Sequence, residues 1–221
     1  MTTPWPTCDR HPDSHEPANT CVYCSSEAAT AGKQAIAELY GRRMGMRCQR
    51  MFPPRYRDAQ PTDPTVAAWV QQYAANRNCT SMRIEGPTGT GKTHQAYGAL
   101  RAAASTPSRD AITWKATNAP DLYAELRPKA GVDQETVINS YRRTTLLLLD
   151  DIGAEKTSEW TEEVLYRLID YRYNHCLPTI FTTNVVTSEL RNKLGDRVAS
   201  RLAEMCKTVV TLTGDDRRRT G

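Results

Sequence analysis

The chain is predicted to be an α/β protein with a mostly parallel sheet and helices on both of its faces. Two observations predict it. From residue 81 onward, short β-prone runs alternate with longer helical stretches, so that each strand returns parallel to the last through a crossover. Within that series Leu146-Leu147-Leu148-Leu149 is apolar without alternation, as a central strand buried on both faces must be. The 221 residues, 39% hydrophobic and 24% charged, suffice for one medium domain and a small appendage and exclude a wholly disordered chain.

The first element is a small module in residues 1–30. Cys8, His11, Cys21 and Cys24 form two pairs, each with two intervening residues, joined by a short loop. That spacing suits a tetrahedral Zn²⁺ in a segment with almost no core of its own. His15 is an alternative to His11, and a redox Cys21/Cys24 pair or unrelated thiols are the rival readings. Residues 31–60 follow as a basic linker. Ile36, Leu39, Tyr40 and Met44 recur at helical spacing in residues 27–46, and the helix is expected to end near Phe52-Pro53-Pro54. The module carries net charge −3 and the linker +5. A concentrated basic stretch points to an anionic partner, although a solvated helix face gives the same pattern.

Residues 61–221 form the main domain. A short helix over Val66–Tyr73 precedes the first strand, Ser81–Glu85. Then come helix Thr93–Ala104, strand Ala111–Ala116, helix Ala119–Arg127, strand Thr145–Asp150 and helix Thr161–Asn174. Strand Thr179–Thr183, helix Ser188–Met205 and a closing strand Lys207–Thr213 complete the series. No apolar run approaches the roughly 18 residues a bilayer span needs, so no membrane is expected. No basic segment leads into an apolar one at the start, and the expected location is cytoplasmic. The odd count of seven cysteines argues against a disulfide framework.

Directly after the first strand stands Gly86-Pro87-Thr88-Gly89-Thr90-Gly91-Lys92-Thr93, followed by His94. It fits GxxxxGK[ST] in the strand–loop–helix context that the motif requires. The glycines let consecutive backbone N–H groups face one phosphate, and the helix N-terminus adds its dipole. In this reading Lys92 reaches the β- and γ-phosphates of ATP and Thr93 holds Mg²⁺. The leucine strand ends in Asp150-Asp151, at the sheet edge where ligands of such folds bind. Asp150 then supports Mg²⁺, and Asp151 orients or deprotonates the attacking water. Asn184, at the end of the next strand, is placed beside the γ-phosphate and that water; a turn-forming asparagine is the alternative.

Together, GPTGTGKTH, LLLLDDIGAEK, SEWTEEVLYRLIDYRYN, TIFTTN and GDRVASRL resemble the AAA+ ATPases of the DnaC/DnaI/IstB group, over about residues 50–221. The resemblance implies a P-loop AAA+ sheet and an ATPase, most like a bacterial or phage replicative helicase loader. It implies that Arg201, assisted by Arg197, is an arginine finger acting on a neighbouring subunit's ATP, so that hydrolysis depends on self-association. Arg218, with Arg217 as fallback, then takes the place of the sensor-2 arginine. Asp-Asp stands where many AAA+ proteins have Asp-Glu, which suggests slow hydrolysis. The short stretch after the last strand suggests the lack of a full C-terminal lid. The implied partners are a replicative hexameric DNA helicase, docked through the amino-terminal module, and single-stranded DNA, for which Lys115 beside Trp114 is a candidate contact.

Three functions fit. An ATP-dependent helicase loader uses every part just described. An IstB-like transposition ATPase has the same core without need of a zinc module, and a neighbouring transposase gene would mark it. An ATP-gated adaptor would bind nucleotide and barely hydrolyse it, which the Asp-Asp pair allows.

Overall fold

The computed structural model describes residues 22–78, 80–106, 112–154 and 158–214, with side chains from residue 26 onward. It opens with a long helix, α1 (Val22–Met51), and a 3-10 turn at Pro54–Tyr56. Helix α2 (Pro64–Ala75) starts where Asp63 accepts from the N–H groups of Thr65 and Val66, with Pro64 in the first turn. There follow β1 (Ser81–Glu85), α3 (Lys92–Ser105), β2 (Trp114–Asn118), α4 (Ala119–Leu126), α5 (Gln134–Arg142) and β3 (Leu146–Asp150). The chain continues through α6 (Glu159–Asn174), β4 (Thr179–Thr183), α7 (Leu190–Leu194), α8 (Asp196–Met205) and β5 (Cys206–Thr211).

All five strands are parallel, in the order β2-β3-β4-β1-β5. Because side chains alternate along a strand, the four leucines of β3 divide between two cores. Leu146 and Leu148 pack with Met82, Ile84 and the faces of α2 and α3. Leu147 and Leu149 pack with Phe181 and the faces of α4 to α8. The expected two-faced parallel sheet is therefore what forms. Full burial of each leucine contributes roughly 1.5–3 kcal/mol, which makes this strand the spine of the domain.

Three elements differ from the expectation. Helix α5 lies in a stretch where none was expected. Only Ile138 and Tyr141 of its nine residues are buried, too little apolar pattern to mark it, and the Asp133 cap and packing against α6 supply the rest. The helix expected over Ser188–Met205 is broken at Gly195, whose φ of 83° sets α7 apart from α8. Helix α1 turns a different side inward. Ile36, Leu39 and Tyr40 are exposed, Met44 packs inward as expected, and Ala37, Gly41 and Cys48 are the buried positions, with Gly45 lying against Ser105 at the end of α3. Small side chains let the two helices approach closely, which outweighs burying the larger ones.

A buried arginine fastens the end of the sheet remote from the phosphate-loop motif. Arg172, at the end of α6, donates to the carbonyls of Tyr141, Arg142, Thr144 and Pro178 and to Thr179 Oγ1, at 2.6–3.1 Å. Burial lowers its pKa to about 9, so the guanidinium stays charged at neutral pH. Among the described residues no helix is long and apolar enough to cross a membrane.

Candidate functional site

At the carboxyl edge of the sheet, Thr88, Gly89, Gly91, Lys92, Thr93 and His94 line a cavity of about 420 Å³ with Asp151, Asn184, Arg55 and Tyr56. The loop from Gly86 to Gly91 links β1 to α3 as the motif requires. It is braced internally, for Thr90 Oγ1 donates to the Pro87 carbonyl at 2.9 Å. Lys92 Nζ donates to the same carbonyl at 2.8 Å, so the ammonium lies folded along the loop that it would serve.

Thr93 and Asp150 meet across the first turn of α3. The Thr93 hydroxyl lies 3.1 Å from both carboxylate oxygens of Asp150. Hydroxyl and carboxylate oxygens are the hard donors that Mg²⁺ takes, and the pair fits that ion. Burial pushes the Asp150 carboxyl above the usual carboxylate range, while hydrogen bonds from Thr182 and Thr93 pull it back. Asp151 follows in the left-handed region, at φ 60°. Its Oδ1 accepts from Asn184 Nδ2 at 2.9 Å, so the end of β4 touches the acidic pair directly.

Lys92, Thr93, His94, Asp150, Asp151 and Asn184 are thus brought together by the fold. Arg201 is not part of this cavity. On α8 its Nε pairs with Asp170 Oδ1 at 3.0 Å and its guanidinium lies over the Tyr173 ring at 4.4 Å. Arg197 lies over Tyr166 at 4.8 Å. Lys115 caps the Tyr141 ring at 4.1 Å and donates to Ser140, and Trp114 beside it is buried, which is the packing alternative to a DNA contact. Cys8, His11, His15, Cys21, Arg217 and Arg218, and the side chain of Cys24, lie outside the described residues. Among the described residues no group of three His, Cys, Asp or Glu is gathered for a metal.

Two contributions escaped the sequence reading. Arg55 and Tyr56 reach the cavity from a strap, residues 52–63, that runs over α3. Tyr56 stacks on Tyr97 at 4.7 Å, and Phe52 meets Tyr97 edge-on at 4.9 Å. Gln95 Oε1 accepts from the N–H groups of Thr62 and Asp63, which pins the far end. An Arg-Tyr pair between prolines was the available signal, but it lies about thirty residues before the phosphate loop. The other is Thr182, a buried hydroxyl in β4 beside both aspartates.

With this geometry in view, a family model described as IstB-like ATP binding protein matches residues 55–220. The chain is 25% identical over 168 residues to the replicative helicase loader DnaI of Bacillus subtilis (strain 168), covering 69% of this chain and 52% of that protein. It is 25% identical over 134 residues to the replicative helicase loader DnaC of Escherichia coli (strain K12), covering 61% and 54% respectively. The chain spans about half the length of these curated relatives. Among solved structures it is similar to that of DnaI, with TM-score 0.63 and 20% identity over 76% of this chain and 95% of that one. The DnaC helicase loader gives 0.60 and 25% over 73% and 100%. AMPPCP-bound DnaA from Aquifex aeolicus gives 0.61 and 22% over 76% and 53%. The fold is of the AAA+ type.

Proposed function

Because this chain belongs to the IstB-like ATP-binding family, we propose that it is an ATP-dependent loader of a replicative DNA helicase. One observation carries the proposal: the phosphate loop, Asp151 and Asn184 line a single cavity, with Asp150 bonded to Thr93 at its wall, in a chain similar to proteins named helicase loaders.

In this reading the backbone of Gly86–Gly91 wraps the phosphates and Lys92 leaves the Pro87 carbonyl to meet the β- and γ-oxygens. Thr93 and Asp150 would hold Mg²⁺, which would supply charge neutralisation for the phosphates when bound. Asp151 takes the proton of the attacking water, or orients it, with Asn184 fixing the carboxylate. Arg55, Tyr56 and His94 bound the same cavity on the side of the strap. Arg201 stabilises the charge on the transferred phosphoryl group of a neighbouring subunit, and Arg218 acts as the sensor-2 arginine. Arg201 pairs with Asp170 outside its own chain's cavity, which supports the trans role.

Residues 1–30, with zinc on Cys8, His11, Cys21 and Cys24, form the helicase-docking module ahead of the linker in residues 31–60, and the ATPase domain of residues 61–221 engages single-stranded DNA. The test is reconstitution. The chain should co-purify with its replicative helicase, contain zinc, and promote helicase loading on single-stranded DNA only with Mg-ATP. Binding to a transposase in place of a helicase would replace this reading with the transposition one. Loading without ATP turnover would leave an ATP-gated adaptor.

A further inference from the structure

We propose that Thr182 is a positioning residue that sets both aspartates of the site through one hydroxyl; this rests on the reading of the cavity as a Mg-ATP site. Thr182 is buried in β4, two residues before Asn184, which directly follows the strand. Its Oγ1 donates to Asp150 Oδ1 at 2.5 Å and accepts the backbone N–H of Asp151 at 2.8 Å. A single oxygen therefore joins the side chain of one aspartate to the backbone of the next.

The turn after β3 hangs on β4 at further points. The Thr182 carbonyl accepts the N–H of Ile152 at 2.9 Å. Thr183 Oγ1 donates to the Ile152 carbonyl at 2.7 Å and accepts the N–H of Val185 at 3.0 Å. Such fastening has a reason, because Asp151 sits at φ 60°, where a side-chain-bearing residue is held only if its surroundings over-determine it. With Oδ1 committed to β4, Asp150 keeps a fixed attitude toward Thr93, the other oxygen donor. Since Asn184 is carried by the same strand end and donates to Asp151, any displacement of that end moves Asn184, Asp150 and Asp151 as one body. Contact with the γ-phosphate at Asn184 is thereby transmitted to the cation ligand as well as to the water-orienting carboxylate.

The test compares Thr182→Val, which keeps the shape and removes the hydroxyl, with Thr182→Ser, which keeps the hydroxyl. A fluorescent ATP analogue is titrated with Mg²⁺, and steady-state ATP hydrolysis is measured in parallel. T182V should raise the Mg²⁺ concentration for half-maximal analogue binding by about tenfold and lower kcat at least as much, the usual effect of removing a partner of a metal ligand. Binding of the analogue without Mg²⁺ should stay within about twofold, because the phosphate loop is untouched. T182S should restore both quantities. A T182V protein with the wild-type Mg²⁺ requirement and kcat overturns the proposal, as does a T182S protein impaired like T182V, which would assign the effect to packing. Should T182V fail to fold, Thr182→Ala takes its place in the same comparison. Lys92→Ala separates this proposal from the reading beneath it. If K92A abolishes analogue binding while T182V is silent, only the role of Thr182 falls. If the wild type binds no nucleotide, both fall.

Discussion

Replacing Gly98 by alanine sets two effects of opposite sign against each other. Gly98 lies inside α3, where alanine is favoured over glycine by about 1 kcal/mol in helix propensity alone. A Cβ there would stand 2.4 Å from the carbonyl carbon of Gln60 and 2.7 Å from the nitrogen of Pro61. Regaining ordinary carbon–carbon separation requires the strap to lift by about 1 Å or more. The obstacle is backbone, and the adjoining Thr62 and Asp63 are tied to Gln95, so no flexible side chain can yield. Overpacking of this kind costs about 1–3 kcal/mol, and with backbone as the neighbour the upper part of that range applies. Net destabilisation of about 1–2 kcal/mol follows, lowering the thermal midpoint by roughly 3–6 °C for a domain of this size. The lifted strap also carries Arg55 and Tyr56 away from the cavity, so nucleotide should raise the midpoint less than in the wild type. Calorimetry with and without Mg-ATP reads both effects. A midpoint equal to or above the wild-type value would refute the reasoning, since propensity would then have prevailed and the strap could not be seated against α3.

Three further outcomes are expected. Arg172→Met leaves four carbonyls and a threonine hydroxyl without their donor, and should cost roughly 3 kcal/mol in a denaturant titration, with the nucleotide cavity spared. Burial raises the thiols of Cys48 and Cys206 from 9.0 to about 12. Unfolded thiols lose protons first, so stability should fall as pH rises from 9 toward 12, against the opposite pull of Arg172; Cys48→Ala should flatten the measured slope. K92A and R201A proteins, each inactive alone, should regain part of the ATPase rate when mixed, because the intact site of one subunit meets the intact arginine of the other; mixtures that stay silent would deny a trans finger.

The strands and the phosphate loop were legible because each is written locally. Four leucines in a row can only be central, and a glycine-rich turn between strand and helix carries its own chemistry. What was hidden depends on partners distant in the chain. Thr182 looks like any β-branched residue until Asp150 and Asp151 are laid beside it. Arg55 and Tyr56 gain meaning only once the strap crosses α3. In α1 the apolar pattern pointed to Ile36, Leu39, Tyr40 and Met44, of which only Met44 packs inward, because which side meets the neighbouring helix was not written in its own pattern. The break at Gly195 was missed because the residues on both sides keep a helical apolar period.

Helix α1 has a mechanical consequence. Its buried positions run from Ala37 to Cys48, and it is followed by Phe52, which meets the aromatic ring that also stacks on Tyr56, whereas residues 26–36 are exposed throughout. From Val22 to Ala37 the helix is roughly 22 Å long at 1.5 Å per residue. A tilt of about 10° at the packed end would therefore sweep its tip by about 4 Å. The opposite end of the same helix leads through Phe52 and Tyr97 to Tyr56 in the cavity wall, so the arm and the cavity are joined by one continuous helix.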